Sequence, residues 1–157
     1  MQLKDKNESL STSLYRWGLD FNENLELDNK DGKTIENYMN VVNKLIEYVS
    51  SNKNIDEQNF EDIDDRFFRR YFYYRDEEHI KKTGKSLKSS TKQNDKKVLI
   101  IFLNYIEEEN DNKFEFQIKW NKIKFPSENK EIDYLKPELI KTILEYLMKE
   151  QKNMYAG

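Results

Sequence analysis

Residues Gly32 to Val49 read GKTIENYMNVVNKLIEYV, and this stretch indicates the fold class more clearly than any other. Its apolar side chains recur every three or four residues, a spacing that places them on one stripe of a helix. The members of that stripe are Ile35, Tyr38, Met39, Val42, Leu45, Ile46 and Val49. The pattern predicts a long amphipathic helix, with Thr34 as its N-cap because a hydroxyl residue follows the glycine there.

Three other segments before residue 112 show the same helical period. The first starts at Leu10 and ends near the sequence LELDNKDG. The second follows a run of acidic residues and contains DDRFFRRYFYYRDEE, and the third begins near Ser89 or Ser90 and runs through Ile106. Four amphipathic helices in a short chain predict an all-α bundle, because each apolar stripe needs a neighbour to cover it.

The period changes to two after residue 112. Phe114, Phe116, Ile118 and Trp120 alternate with polar residues, as in a strand or an extended arm. The stretch FPSENKEID then predicts a linker, and Pro137 stands in the first turn of a last amphipathic helix. The predicted organisation is a helical domain over residues 1–112, a linker or extended arm over 113–133, and one further helix within 134–157.

The composition is that of a folded chain. Of 157 residues, 36% are apolar and 36% are charged, and the aromatic fraction of 13% is more than a disordered chain usually carries. The absence of cysteine excludes disulfides and thiolate chemistry. The apolar run VLIIFLNYI is too short to span a bilayer, and the N-terminus lacks the apolar region of a signal peptide. We therefore expect a cytoplasmic protein without a membrane partner.

The charge is unevenly distributed along the chain, although the net charge is only -3. Residues 56–65 contain six acidic residues and no basic one, whereas residues 79–97 contain seven lysines and one aspartate. Such asymmetry predicts one face that meets an anionic partner. The alternative is that the lysine run is a solvated loop and helix surface.

Two sequences resemble the end of a nucleotide-binding loop, Gly-Lys-Ser at 84–86 and Gly-Lys-Thr at 32–34. That loop needs another glycine five residues earlier, and His79 and Leu27 occupy those positions. A calcium loop over residues 27–38 also fails, because Leu27 and Tyr38 stand where carboxylates are required. The chain has one histidine, which removes a histidine-pair metal site. The sequence therefore predicts no nucleotide, no metal and no other cofactor.

Two helix openings remain as candidates for phosphate binding, GKTIEN at 32–37 and KSSTKQN at 88–94. The N-terminus of a helix offers N–H groups and positive potential to a phosphate. Asn37, Gln93 and Asn94 follow these openings, and side-chain amides can hydrogen bond to the edge of adenine in a major groove. The alternative is that the hydroxyl residues of both openings act only as N-caps.

The order of these segments resembles the N-terminal part of tyrosine recombinases, the phage integrase family. The similarity covers roughly Leu10 to Lys149 and is carried by GKTIENYMNVVNKLIEYV, NIDEQNFEDIDDRFFRRYF, KSLKSSTKQNDKKVLIIFLNYI and IKWNKIKFPSENKEIDYLKPELIKTILEYL. In that family a helix opened by Ser or Thr, with Tyr four residues on, begins a SAM-like four-helix core-binding domain. The IKFP stretch resembles the linker to the catalytic domain, and LKPELIKTIL resembles that domain's first helix.

The resemblance implies a core-binding domain that clamps double-stranded DNA for integration or recombination, within a parent protein that forms a multimer on DNA. It also implies that the chain is not itself an enzyme. The family's nucleophilic tyrosine works with arginines, a lysine and histidines of the following domain, so Tyr155 is not a candidate nucleophile. The candidate DNA-binding residues are Lys33, Thr34, Asn37, Lys85, Lys88, Ser90, Thr91, Lys92, Asn94 and Lys97.

The alternative function is a helical protein–protein interaction module that does not bind DNA. In that interpretation the aromatic arm from Phe114 to Trp120 is exposed, and it docks on another protein together with the last helix.

Overall fold

The computed structural model describes residues 2–126 and 145–147, and these residues contain helices but no strand. The α-helices are α1 Leu10–Leu27, α2 Gly32–Ser50, α3 Lys53–Asp56, α4 Asp65–Thr83 and α5 Ser89–Glu109. Single 3₁₀ turns cover Phe60–Asp62 and Trp120–Lys122. The predicted all-α class is confirmed. Within the described ranges, no helix combines the length and apolar character that a membrane span requires. Of the predicted last helix, only residues 145–147 are described, and they are helical.

The helix α1 packs against α2 as an antiparallel pair. The predicted face of α1 is confirmed, because Leu10, Leu14 and Trp17 are fully buried. Closer to its C-terminal end, the ring of Phe21 stacks on Tyr38 with the centroids 6.2 Å apart. Between these contacts the two backbones approach closely at a glycine on α1, which leaves no room for a larger side chain.

That glycine is Gly18, and a Cβ atom placed on it would lie 3.3 Å from Cγ1 of Val42. The absence of a side chain therefore lets the α1–α2 pair pack at short distance. Helix α5 crosses this pair, since its Phe102 and Tyr105 rings pack on Phe21 with centroids 5.3 and 5.2 Å away. The Tyr105 hydroxyl also bonds to the side chain of Asp20 in α1.

The predicted N-caps of α2 and α5 are wrong. Asp31 is the N-cap of α2, so Thr34 lies inside the first turn. Lys88 is the N-cap of α5, so the two serines that follow it are already helical. Helix α2 therefore begins earlier than expected, whereas α5 begins at Ser89 as predicted. The residue before each helix is extended, with ψ near 142° and 144°, and no hydroxyl caps either start.

Residues 113–126 form a covering segment over the core. The predicted alternation is present, because Phe116 is buried while Glu115 and Gln117 on either side of it are exposed. Among residues 2–126 and 145–147, this segment has no strand pairing. The aromatic rings pack inward, with Trp120 5.0 Å from Phe68 between centroids. The expectation of an exposed aromatic arm is therefore wrong, because these rings cover phenylalanines of the bundle that would otherwise face water.

The acidic run at residues 56–65 supplies helix caps. Asp56 accepts a hydrogen bond from the backbone N–H of Ser11 at 2.7 Å, in the first turn of α1. Asp64 accepts one from the N–H of Phe67 at 2.9 Å and so caps α4. The run follows the C-terminal end of α2. Because a helix rises about 1.5 Å per residue, the run lies about 27 Å along that helix from Gly32.

Candidate nucleic-acid interface

The openings of α2 and α5 meet at a pair of asparagines. The side-chain amide of Asn94 donates to Oδ1 of Asn37 at 3.1 Å, and the amide of Asn37 donates to Oδ1 of Asn94 at 3.5 Å. Each asparagine lies in the second turn of its helix. The first residue of each helix is therefore only about 8 Å along the axis from the pair. The fold brings the two sequence-predicted openings to the same side of the bundle.

The two openings differ from the starts of α1 and α4 in their caps. The Ser9 side chain accepts a hydrogen bond from the first turn of α1, and Asp64 does the same for α4. Neither Asp31 nor Lys88 accepts such a bond. The N-cap side chains of α2 and α5 thus make no cap hydrogen bond, and the positive end of each helix dipole attracts an anion.

Exposed cations surround these openings. The side chains of Lys33, Lys88 and Lys97 are exposed, and we call these three residues the opening lysines. Lys33 is one turn before Asn37, and Lys97 is nearly one turn after Asn94. Ser90 is also exposed, whereas three other candidate residues are half-buried: Thr34, Thr91 and Lys92.

One candidate residue, Lys92, has a different setting from the one its sequence position indicated, whereas Lys85 lies in the expected loop. Lys92 is turned inward: Nζ lies 2.7 Å from Oδ2 of Asp76, and only 12% of the side chain is exposed. Its ammonium also lies 5.6 Å from the centroid of the Phe125 ring. Lys85 lies in the loop after α4, where its N–H donates to Oγ1 of Thr83 at 3.2 Å, and its side chain faces solvent.

A buried ion pair holds α5 against α4. The Arg75 guanidinium bonds to the Asp95 carboxylate, and both residues are at least nine-tenths buried. Nη1 of Arg75 also lies 3.4 Å from the hydroxyl of Tyr71. Burial raises the pKa of Tyr71 to about 12, so this hydroxyl stays neutral beside the cation. Burial acts to lower the pKa of Arg75, but Tyr71 and Asp95 outweigh it and raise this pKa overall.

Sequence reasoning missed this pair, although a signal for it exists. Asp95 stands on the apolar stripe of α5, three residues before Val98 and seven before Phe102, and all three are buried. Arg75 continues the buried stripe of α4 in the same way, four residues after Tyr71. A charged residue on an apolar stripe indicates a buried ion pair, because an unpaired charge there would be costly.

The arrangement is suited to binding an anion. Within residues 2–126 and 145–147, no cluster of histidine and carboxylate side chains is placed to hold a metal ion. Comparisons of the chain with protein-family models, with curated proteins and with solved structures found no match.

Proposed function

We propose that this chain is a DNA-binding module that clamps duplex DNA with the openings of α2 and α5, and that it is the non-catalytic, SAM-like core-binding domain of a tyrosine recombinase. The contact between Asn37 and Asn94 carries this proposal. It sets two helix N-termini side by side, and neither of them has a side-chain cap. The four long helices and their order support the comparison with a SAM-like bundle.

The placement of charge supports DNA as the anion. The opening lysines are exposed at the α2 and α5 end, whereas the acidic run lies about 27 Å away along α2 and is engaged in capping. The net charge of -3 therefore does not describe the field at the proposed interface. Phosphates would be held by helix N–H groups and lysines, which gives affinity and position without base specificity.

The asparagine pair suggests how bases could be contacted. Each side-chain amide has two N–H donors and uses one of them in the bond to its partner, so a second N–H is not used in the pair. These unused N–H groups can donate to acceptors on base edges in the major groove, which is about 12 Å wide. Changing Asn37 or Asn94 is expected to alter sequence preference more than the dependence of affinity on salt.

The rival proposal, a protein-interaction module, depends on an exposed aromatic arm together with the last helix. The rings of Phe116 and Trp120 pack against phenylalanines of the core. The rings of the covering segment are therefore not free to dock on a partner. The last helix is described only at residues 145–147, where Tyr146 and Leu147 are exposed.

The test is duplex DNA binding as a function of salt, measured by fluorescence anisotropy. Replacing the three opening lysines by alanine is expected to make the slope of log K against log salt shallower by about 2.7, because each lost phosphate contact contributes about 0.9. The matched control replaces Lys6, Lys53 and Lys113, which are equally exposed. These lie at the opposite end of the bundle, beside the acidic run and its neighbours. Equal slopes for the two variants, or no binding of the unaltered protein at low salt, would overturn the proposal.

A further inference from the structure

The exposed face of α4 carries a stripe of arginines that the proposed interface does not use. Arg66, Arg69, Arg70 and Tyr73 are spaced as i, i+3, i+4 and i+7 and are all exposed, Tyr73 to 68%. We call these four residues the α4 stripe. The chain has 22 lysines but only five arginines, and the other two are engaged in ion pairs with Glu8 and Asp95. The use of arginine on this face therefore indicates a ligand that pairs with the planar guanidinium group.

The α4 stripe is continuous with a groove. Arg69 and Tyr73 line a depression between α4 and the covering segment, where Lys122 and Lys124 are exposed. Asp76 also lines it, but its carboxylate is already paired with Lys92 at 2.7 Å. The groove is thus rich in cations that have no buried partner.

The groove leads to the opening of α5. Pro126 forms one of its edges, and the Ser89 hydroxyl donates to the carbonyl of Pro126. Ser89 is the first residue of α5. The opening of α5 is therefore flanked by α2 through the asparagine pair on one side and by this groove on the other.

One internal contact and a neighbouring acidic cleft could compete for the stripe. Arg69 has a salt bridge with Asp65 at 3.3 Å, but its side chain remains 52% exposed. A surface pair of this kind is weak and is readily exchanged for a better partner. Arg66 and Arg70 border a cleft that also contains acidic residues such as Glu61 and Asp62, although no ion pair joins them within the described residues.

The four residues of the α4 stripe line one depression, and Arg69 and Tyr73 belong to the adjoining groove as well. We propose that the α4 stripe and this groove together bind a phosphodiester backbone, so that the DNA surface extends past the α5 opening on the side away from α2. Guanidinium groups pair with phosphate through two parallel hydrogen bonds, which lysine does not offer. The Tyr73 hydroxyl is placed to donate to a phosphate oxygen. This inference rests on the proposed function because it enlarges the same DNA surface.

The test compares two alanine variants in the salt titration. One replaces Arg66, Arg69 and Arg70, and the other replaces the opening lysines. Loss of three phosphate contacts is expected to reduce the slope by about 2.7 in each. Replacing the same arginines by lysine should leave the slope of log K against log salt unchanged and lower the affinity for DNA several-fold. Tyr73→Phe should likewise lower the affinity several-fold and leave the slope unchanged. Circular dichroism and thermal unfolding verify that each variant folds.

The outcomes separate the two proposals. A slope that is unchanged by the arginine replacements but reduced by the lysine replacements overturns this inference and leaves the proposed function standing. The reverse result supports the groove and overturns the role of the helix openings. If the arginine variant loses binding to polyglutamate while its DNA slope is unchanged, the groove is a site for acidic protein and the inference is also overturned.

Discussion

Asp95→Ala is expected to destabilise the protein severely, because it leaves the Arg75 guanidinium buried without its counter-ion. Arg75 is only 9% exposed, and Asp95 is 4% exposed. Removing one partner of such a pair costs about 3 to 5 kcal/mol, whereas a whole domain is stable by about 5 to 15 kcal/mol. A loss of this size lowers the Tm by roughly 6 to 20 °C for a chain of this length. Urea unfolding followed by tryptophan fluorescence measures it, since Trp17 is fully buried.

Two further variants show whether the cause is the uncompensated charge. Replacing Arg75 and Asp95 together by methionine and leucine removes both charges, and it should recover most of the lost stability. Asp65→Ala breaks the exposed pair with Arg69 and serves as the matched control, with an expected cost below about 1 kcal/mol. The reasoning is refuted if Asp95→Ala costs less than about 1 kcal/mol, or if the double variant is as unstable as the single one.

Three other variants test the packing and the electrostatics. Gly18→Val should destabilise the α1–α2 pair by at least about 1 to 3 kcal/mol, because Val42 already fills the space. Thermal unfolding measures this cost. The control is Gly32→Val, since a Cβ atom at Gly32 has no neighbour within 4 Å. Tyr105→Phe should cost about 1.5 to 3 kcal/mol, since its hydroxyl bonds to a carboxylate of α1; an unchanged urea midpoint would contradict this. The hydrogen bond from Arg16 lowers the pKa of Glu8 to about 2, so the stability that Glu8 contributes is complete above about pH 4.3 and is lost as the pH falls toward 2. Glu8→Gln should therefore flatten the pH dependence of the urea midpoint in that window, and parallel curves for the two proteins would refute the assignment.

The helices could be predicted from the sequence because their apolar stripes are regular. Leu10, Leu14 and Trp17 stand at helical spacing and all three are fully buried. The packing of the covering segment was harder to predict from the sequence. Its period of two correctly indicates one inward face, but the pattern does not say what that face meets. An extended segment with alternating rings can pair in a sheet, dock on a partner or fold back on its own bundle, and the last of these occurs here.

Helix ends and polar partners followed less well from sequence. The pattern placed Thr34 at a cap, yet the extended residue Asp31 sets the start of α2 without a side-chain hydrogen bond. The openings of α2 and α5 were expected on one surface, and the contact between Asn37 and Asn94 brings them together. No spacing rule predicts that contact, because the residues are 57 positions apart and the crossing of two helices determines it.

The covering segment has a consequence for any attempt to produce the protein in shortened form. The core phenylalanines Phe60, Phe68 and Phe72 are nearly inaccessible to water, and the rings of Phe116, Trp120 and Phe125 lie against them. A fragment that stops at residue 112 would expose a hydrophobic aromatic surface and would tend to aggregate. Soluble expression therefore calls for a C-terminal boundary beyond Phe125, even though α5 ends sixteen residues earlier.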